Sequence, residues 1–107
     1  MSRKRVLLVA AIASALSAGA AATQEIGRPE HGLGLAQQIC GQCHAVRKDQ
    51  ERSPNERAPR FQTIASVPGM TSIALSAALN TSHRSMPNII LSAEEKADII
   101  AYILTLR

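Results

Sequence analysis

Cys40-Gly41-Gln42-Cys43-His44 is the stretch on which the reading of this 107-residue chain turns. Two cysteines three positions apart share one face of a helical turn. From there both thiols can form thioethers with the two vinyl groups of one porphyrin, and His44 can present its imidazole to the iron from the same side. C-x-x-C-H is the pattern of covalent haem attachment. Other uses of the pair are less well supported. A disulfide between positions 40 and 43 closes so short a loop that it removes little chain entropy. A thioredoxin-like dithiol belongs in a βαβ setting, and the chain carries no strand pattern. A structural zinc site needs a second pair of ligands, and no further cysteine exists.

Upstream of the motif the chain opens on a basic cluster, Arg3-Lys4-Arg5, followed by an apolar run from Val6 to Ala13 that fades into small residues ending Ala20-Ala21-Ala22. Basic, apolar and small-residue segments in that order read as a secretory signal over residues 1–22, leaving 23–107 as the working domain. Ser14, Ser17 and Gly19 interrupt the run, so a stable membrane span is not expected; an uncleaved anchor is the alternative. The formal charge of the whole chain is +4. Removing 22 of 107 residues leaves 85, with nine basic and eight acidic side chains and a charge of +1. Two ionised propionates on a haem would bring the total to about −1. With one Tyr, one Phe and no Trp there is no platform for stacking bases, and nucleic acid is not an expected partner. A domain this small and this poor in large side chains needs a staple, and a haem would serve as one.

A haem held by His44 leaves a second axial position. The soft candidates are Met70 and Met86; the imidazole candidates are His31 and His83. Met86 lies in a polar stretch between two helical patterns and precedes Pro87, which biases its backbone towards an extended form. Met86 is therefore preferred, with His83 as the competitor. Met70 reads as packing at a helix start and His31 as an ordinary polar residue.

The surrounding pattern is helical throughout. Small and apolar residues at Gly32, Ala36, Ile39, Cys40 and Cys43 predict a helix from about Pro29 to Cys43. Gly32 on this face would permit close approach of another helix, or simply mark a frayed start. Residues 45–67 form a long polar segment expected to wrap one side of the haem. A middle helix over about 71–79 has Ile73, Ala74, Ala77 and Ala78 on one face. A last helix opens at Ser92, with Ser92-Ala93-Glu94-Glu95 as a capping box and an apolar face of Ile99, Ile100, Ile103, Leu104 and Leu106. The fold expected is all-α, with three principal helices around one covalently attached haem.

Taken together, Gly32-Leu33-Gly34-Leu35 before Cys40-Gly41-Gln42-Cys43-His44, Met86-Pro87-Asn88-Ile89-Ile90-Leu91, and the closing Ala101-Tyr102-Ile103-Leu104 resemble the small bacterial class I cytochromes c. The resemblance covers essentially all of residues 23–107. It implies haem c bound through Cys40 and Cys43, with His44 as proximal and Met86 as distal iron ligand. Pro59 resembles the family's proline whose carbonyl accepts the other N–H of the proximal histidine, with Pro54 as alternative; Arg60 or Arg52 are candidate partners for a propionate. One departure is Ala36, where the family often has an aromatic residue, so the contact between the end helices must lean on Tyr102 and aliphatic groups. A thioether is a soft neutral donor that favours ferrous iron and raises the reduction potential over bis-histidine ligation. With both axial positions filled the iron has no site for substrate, so the resemblance implies a monomeric periplasmic electron carrier and not an enzyme. Its implied partners are a quinol–cytochrome c reductase, a terminal oxidase or a periplasmic dehydrogenase. A haem sensor or peroxide enzyme with a labile distal ligand, a subunit dedicated to one dehydrogenase, and a thiol-redox module are the competing functions.

Overall fold

The computed structural model describes residues 26–81 and 85–107; residues 1–22, where an export signal is expected, and His83 and Arg84 fall outside the described residues. The chain enters helix α1 (Pro29–Leu35) at Arg28, whose backbone is extended. Proline suits this first position because its missing N–H would find no partner within the helix. From Ala36 to Cys40 the helix continues as a π turn, closed by Gly41 N–H donating to Ala36 O at 2.8 Å. Steps of four residues overshoot an α-helical turn, so Gly32, Ala36 and Cys40 would drift around the helix axis. The wider π turn takes up that drift, and all three positions are buried.

Three further helices follow: α2 (Phe61–Ala65), α3 (Ser72–Asn80) and α4 (Ala93–Leu104). Among the described residues there is no strand, and the all-α expectation holds. Helices α1, α3 and α4 are the three that the sequence predicts. Helix α2 is an addition inside the polar segment, five residues long and therefore too short to show a period. Helices α1, α2 and α3 all pack on α4, so the last helix is the hub. Its N-terminus carries the expected capping box: Glu95 N–H donates to Ser92 Oγ at 3.1 Å and Ser92 N–H to Glu95 Oε2 at 2.8 Å. Ile99, Ile100, Tyr102, Ile103 and Leu106 are buried beneath it.

The face expected for the middle helix is corrected by the structure. Leu75 is buried and Leu79 packs against the core, whereas Ile73 is 72% exposed and Ala74, Ala77 and Ala78 are exposed as well. The two leucines stand four apart and bring more apolar area inward than the alanines could, which decides which side faces α4.

The crossing of α1 on α4 is closer than side chains would allow. A Cβ at Gly32 would lie 1.9 Å from Asp98 O, and one at Gly27 would lie 2.0 Å from Ala97 O. Gly32 thus marks a backbone-to-backbone contact and not a frayed end. Beside it, the buried Asp98 carboxylate accepts from Arg28 N–H at 2.7 Å through Oδ1, and from His31 Nδ1–H at 2.5 Å through Oδ2. Arg28 also reaches Asp98 at 3.3 Å and the exposed Glu94 at 2.8 Å. Helix α1 has no side-chain cap of its own; α4 ties down the amide of the preceding residue, Arg28, from across the interface. The hydrogen bond from the Arg28 amide, then that from His31, hold the Asp98 carboxyl below the usual carboxylate range against the opposing effect of burial.

Candidate functional site

Cys40 ends the π turn, and the chain then tightens: Cys43 and His44 both donate their N–H to Cys40 O, at 3.1 and 2.9 Å. The two thiols are free. Cys40 sits in the core cluster with Phe61, Leu75 and Tyr102, and burial pushes its thiol up to about 11. A thiol raised in this way is poorly ionised at neutral pH, the opposite of what a dithiol redox centre needs. Among the described residues no three His, Cys, Asp or Glu side chains come together in a metal-binding group, which leaves a zinc site without its ligand set.

His44 projects from this turn against Phe61, ring centroids 5.3 Å apart and tilted by 52°. Its Nδ1 lies 2.7 Å from Pro59 O. A carbonyl only accepts, so Nδ1 carries the proton and Nε2 keeps a free lone pair in the neutral ring. That is the tautomer a metal-ligating imidazole requires, with the outer nitrogen fixed by a backbone carbonyl. The carbonyl is that of Pro59, not Pro54.

The segment after His44 is more ordered than its composition suggests. Ala45 N–H donates to Ser53 Oγ at 2.9 Å, and Asn55 N–H to Cys43 O at 3.1 Å. The side-chain carbonyl of Gln50 accepts from both Val46 and Arg47 amides, at 3.1 and 3.0 Å. Phe61 N–H returns to Ala45 O at 2.9 Å. Tyr102 donates its phenolic O–H to Val46 O at 2.5 Å, so it joins α4 to this segment in addition to packing in the core. Arg60 donates to Gln50 O at 2.9 Å and to Gln62 Oε1 at 3.0 Å; its guanidinium is engaged inside the protein fabric. Gln50, Ser53 and the Val46 carbonyl escaped the sequence reading because polar loop residues have no periodicity to betray their partners.

On the other side, Cys40 and Met86 line one cleft, together with Leu79, Pro87, Ile89 and Leu91. The residue that turns the chain into this stretch is Ser85, at φ 59, the one non-glycine residue in the left-handed region among those described. Met70 is partly buried against the core and its carbonyl accepts from Arg107 at 2.5 Å. His31 is committed to Asp98 at the α1–α4 crossing. Of the four candidate ligands for a second axial position, Met86 is therefore the one that shares a cleft with a motif cysteine, while His83 lies outside the described residues. A wider groove between α3 and α4, lined by Ile26, Ile73, Ala77, Ile100 and Leu104 among others, carries no Cys, His or Met.

The donor set fits a covalently bound haem: two free thiols on one turn, an imidazole with its outer N–H fixed and its inner nitrogen available, and a thioether on an apolar cleft wall. Comparison with known proteins agrees. The chain is 37% identical over 102 residues to cytochrome c-552 from Bradyrhizobium diazoefficiens, a match covering 95% of this chain and 92% of the relative. No family model matches the chain, and no solved structure matches it.

Proposed function

The chain belongs to the c-type cytochromes, and from that premise we propose that it is a periplasmic carrier of single electrons whose iron is held by His44 and Met86. As a member of that family it takes covalent haem c with iron and exchanges electrons with redox partners. When bound, the haem supplies one-electron ferric–ferrous chemistry. The protein's part is to attach, orient and enclose the group. Cys40 and Cys43 would form the two thioether links. His44 would coordinate through Nε2, and Met86 would supply the soft second ligand. The single observation that carries the reading is the His44 Nδ1–Pro59 O contact of 2.7 Å, which leaves Nε2 as the only free nitrogen of the ring.

The hydrogen bond from Nδ1 does two things to the ligand. It holds the ring at one orientation, and it makes the imidazole more basic, which favours the ferric state. The thioether of Met86 would act in the opposite sense and favour the ferrous state. His44 and Met86 would together leave the iron no open position for a substrate, which supports a carrier over an enzyme. The basic, apolar and small-residue pattern of residues 1–22, read as an export signal, is what supports the periplasmic location.

For partners we infer acceptors and donors of the respiratory kind: a quinol–cytochrome c reductase, a terminal oxidase or a periplasmic dehydrogenase. Lys48, Arg52 and Arg57 are exposed on the loop beside His44, interleaved with Asp49, Glu51 and Glu56, and Arg47 is paired with Asp49 at 3.2 Å. Such a mixed surface favours brief encounters over a fixed complex.

Pyridine haemochrome absorbance on the purified protein tests the haem: a c-type spectrum is expected, and its absence would return the motif to thiol chemistry. Met86→Ala tests the axial ligand. The ferric wild type should show the weak far-red band of methionine–iron ligation, and the variant should lose it and gain affinity for added imidazole. A band that survives the substitution rules out Met86.

A further inference from the structure

Pro59 holds His44, but nothing in proline's own backbone holds Pro59. It has no N–H to donate, and its side chain is exposed. Its carbonyl stays in place only because its neighbours are tied. Phe61 N–H binds Ala45 O at 2.9 Å on one side. The other tie is a side chain: Arg60 Nε–H donates to Gln50 O at 2.9 Å. Arg60 is extended at φ −63, ψ 142, so its carbonyl and amide run on towards α2 and its side chain turns back across the loop. Its second arm donates to Gln62 Oε1 at 3.0 Å, which fixes the guanidinium from the α2 side. Gln50 is itself anchored. Its side-chain carbonyl accepts from Val46 and Arg47, and its own N–H donates to Arg47 O at 3.2 Å. The circuit therefore runs from His44 through residues 45–47 to Gln50, across to Arg60, and back through Pro59 to His44.

We propose that Arg60, locked on the Gln50 carbonyl, is a positioning residue for the proximal ligand: it holds Pro59 O against His44 Nδ1–H and thereby sets how strongly the imidazole donates to iron. The proposal rests on His44 being the proximal ligand. It assigns Arg60 a role that differs in sign from that of a charge near a haem. A positive charge favours ferrous iron, so removing it lowers the reduction potential. A firm hydrogen bond at Nδ1 makes the imidazole more basic and favours ferric iron, so loosening it raises the potential.

The test uses the haem-loaded protein with Arg60→Lys, Arg60→Met and Gln50→Ala. Lysine keeps the charge but has no planar fork with which to bind Gln50 O and Gln62 Oε1 together. If Arg60 positions Pro59, the potential rises in Arg60→Lys, which keeps the charge, and in Arg60→Met it stands below that of Arg60→Lys by the effect of the lost charge. The His44 Nδ1 proton, followed by NMR, then exchanges with solvent about 3- to 10-fold faster, the worth of one net hydrogen bond. Gln50→Ala, which frees the Val46 and Arg47 amides without touching any charge, shifts both readouts the same way and decides the question should the Arg60 variants fail to fold. A fall in potential in Arg60→Met with an unchanged potential in Arg60→Lys shows a charge effect and overturns the proposal, as does an unchanged potential with unchanged exchange in all three variants. His44→Ala separates the underlying reading: a variant that keeps the wild-type spectrum removes His44 as ligand and the proposal with it. A spectrum that depends on His44 but ignores Arg60 and Gln50 removes the proposal alone.

Discussion

At the scale of single residues, Tyr102 shows how one atom can join two parts of the molecule. Its ring fills the core against α4's neighbours, and its hydroxyl, 2.5 Å from Val46 O, satisfies a carbonyl that is itself buried. Removing the hydroxyl leaves that carbonyl without its donor. Tyr102→Phe should therefore cost about 1–2 kcal/mol in denaturant unfolding, with little change in the haem spectrum, because the ring still packs. Burial raises the Tyr102 phenol above its ordinary value of 10.0. The folded state thus binds the phenolic proton more tightly than the unfolded chain does, and stability present below about pH 10 is lost as pH climbs through the raised value. Comparing unfolding midpoints at neutral and alkaline pH checks this: the wild type should lose stability at the alkaline end by more than the Phe variant. The sequence made Tyr102 legible as core but not as a donor, since its acceptor is a backbone carbonyl 56 positions away.

Among the elements, what the sequence could say depended on how local the evidence was. The capping box of α4 lies within four residues and was readable outright. The apolar face of α4 repeats over enough turns to stand out. Helix α2 is too short for that, and the inward face of α3 is not legible locally, because Leu75 and Leu79 outweigh Ile73, Ala74, Ala77 and Ala78 only once α4 is in place. The α1–α4 crossing was half legible. Gly32 fits close approach or a frayed start equally on sequence, and the Asp98–Arg28–His31 cluster joins positions 67 and 70 apart and leaves no trace in either helix's pattern. This cluster gives the element-scale prediction. Asp98 has its carboxyl held below its ordinary value of 3.8, first by the Arg28 amide and then by His31. Its contribution is complete above that ordinary value and disappears as pH falls through the lowered one, because the unfolded chain takes up the proton first. Acid unfolding of the wild type should thus steepen below about pH 4. Asp98→Asn should be less stable at neutral pH and flatter through the acid range. A variant whose acid profile matches the wild type would show that the cluster does not couple α1 to α4.

For the molecule as a whole, the helices are too short to stand alone. Helices α1, α3 and α4 contain 7, 9 and 12 residues, at or below the length at which isolated helices become marginal in water. They persist by packing, and the core they pack around is small: among the described residues the largest fully buried side chains are Ile99 and the charged Asp98. Cys40 belongs to that core cluster, so the proposed attachment point of the haem and the hydrophobic interior occupy the same space. A group bound there adds apolar surface where the sequence is poorest in it, having one Phe, one Tyr and no Trp. Haem attachment should accordingly be part of folding and not an addition to a finished fold. The wild-type chain produced without haem attachment, and Cys40→Ala/Cys43→Ala beside it, should show far-UV helicity well below the haem protein and a broad melt with no cooperative midpoint. Both proteins should behave alike, since the alanines remove the links but no large side chain. A haem-free chain that melted cooperatively with full helicity would mean that α4 and its partners suffice as a core, and that the haem serves the redox function alone.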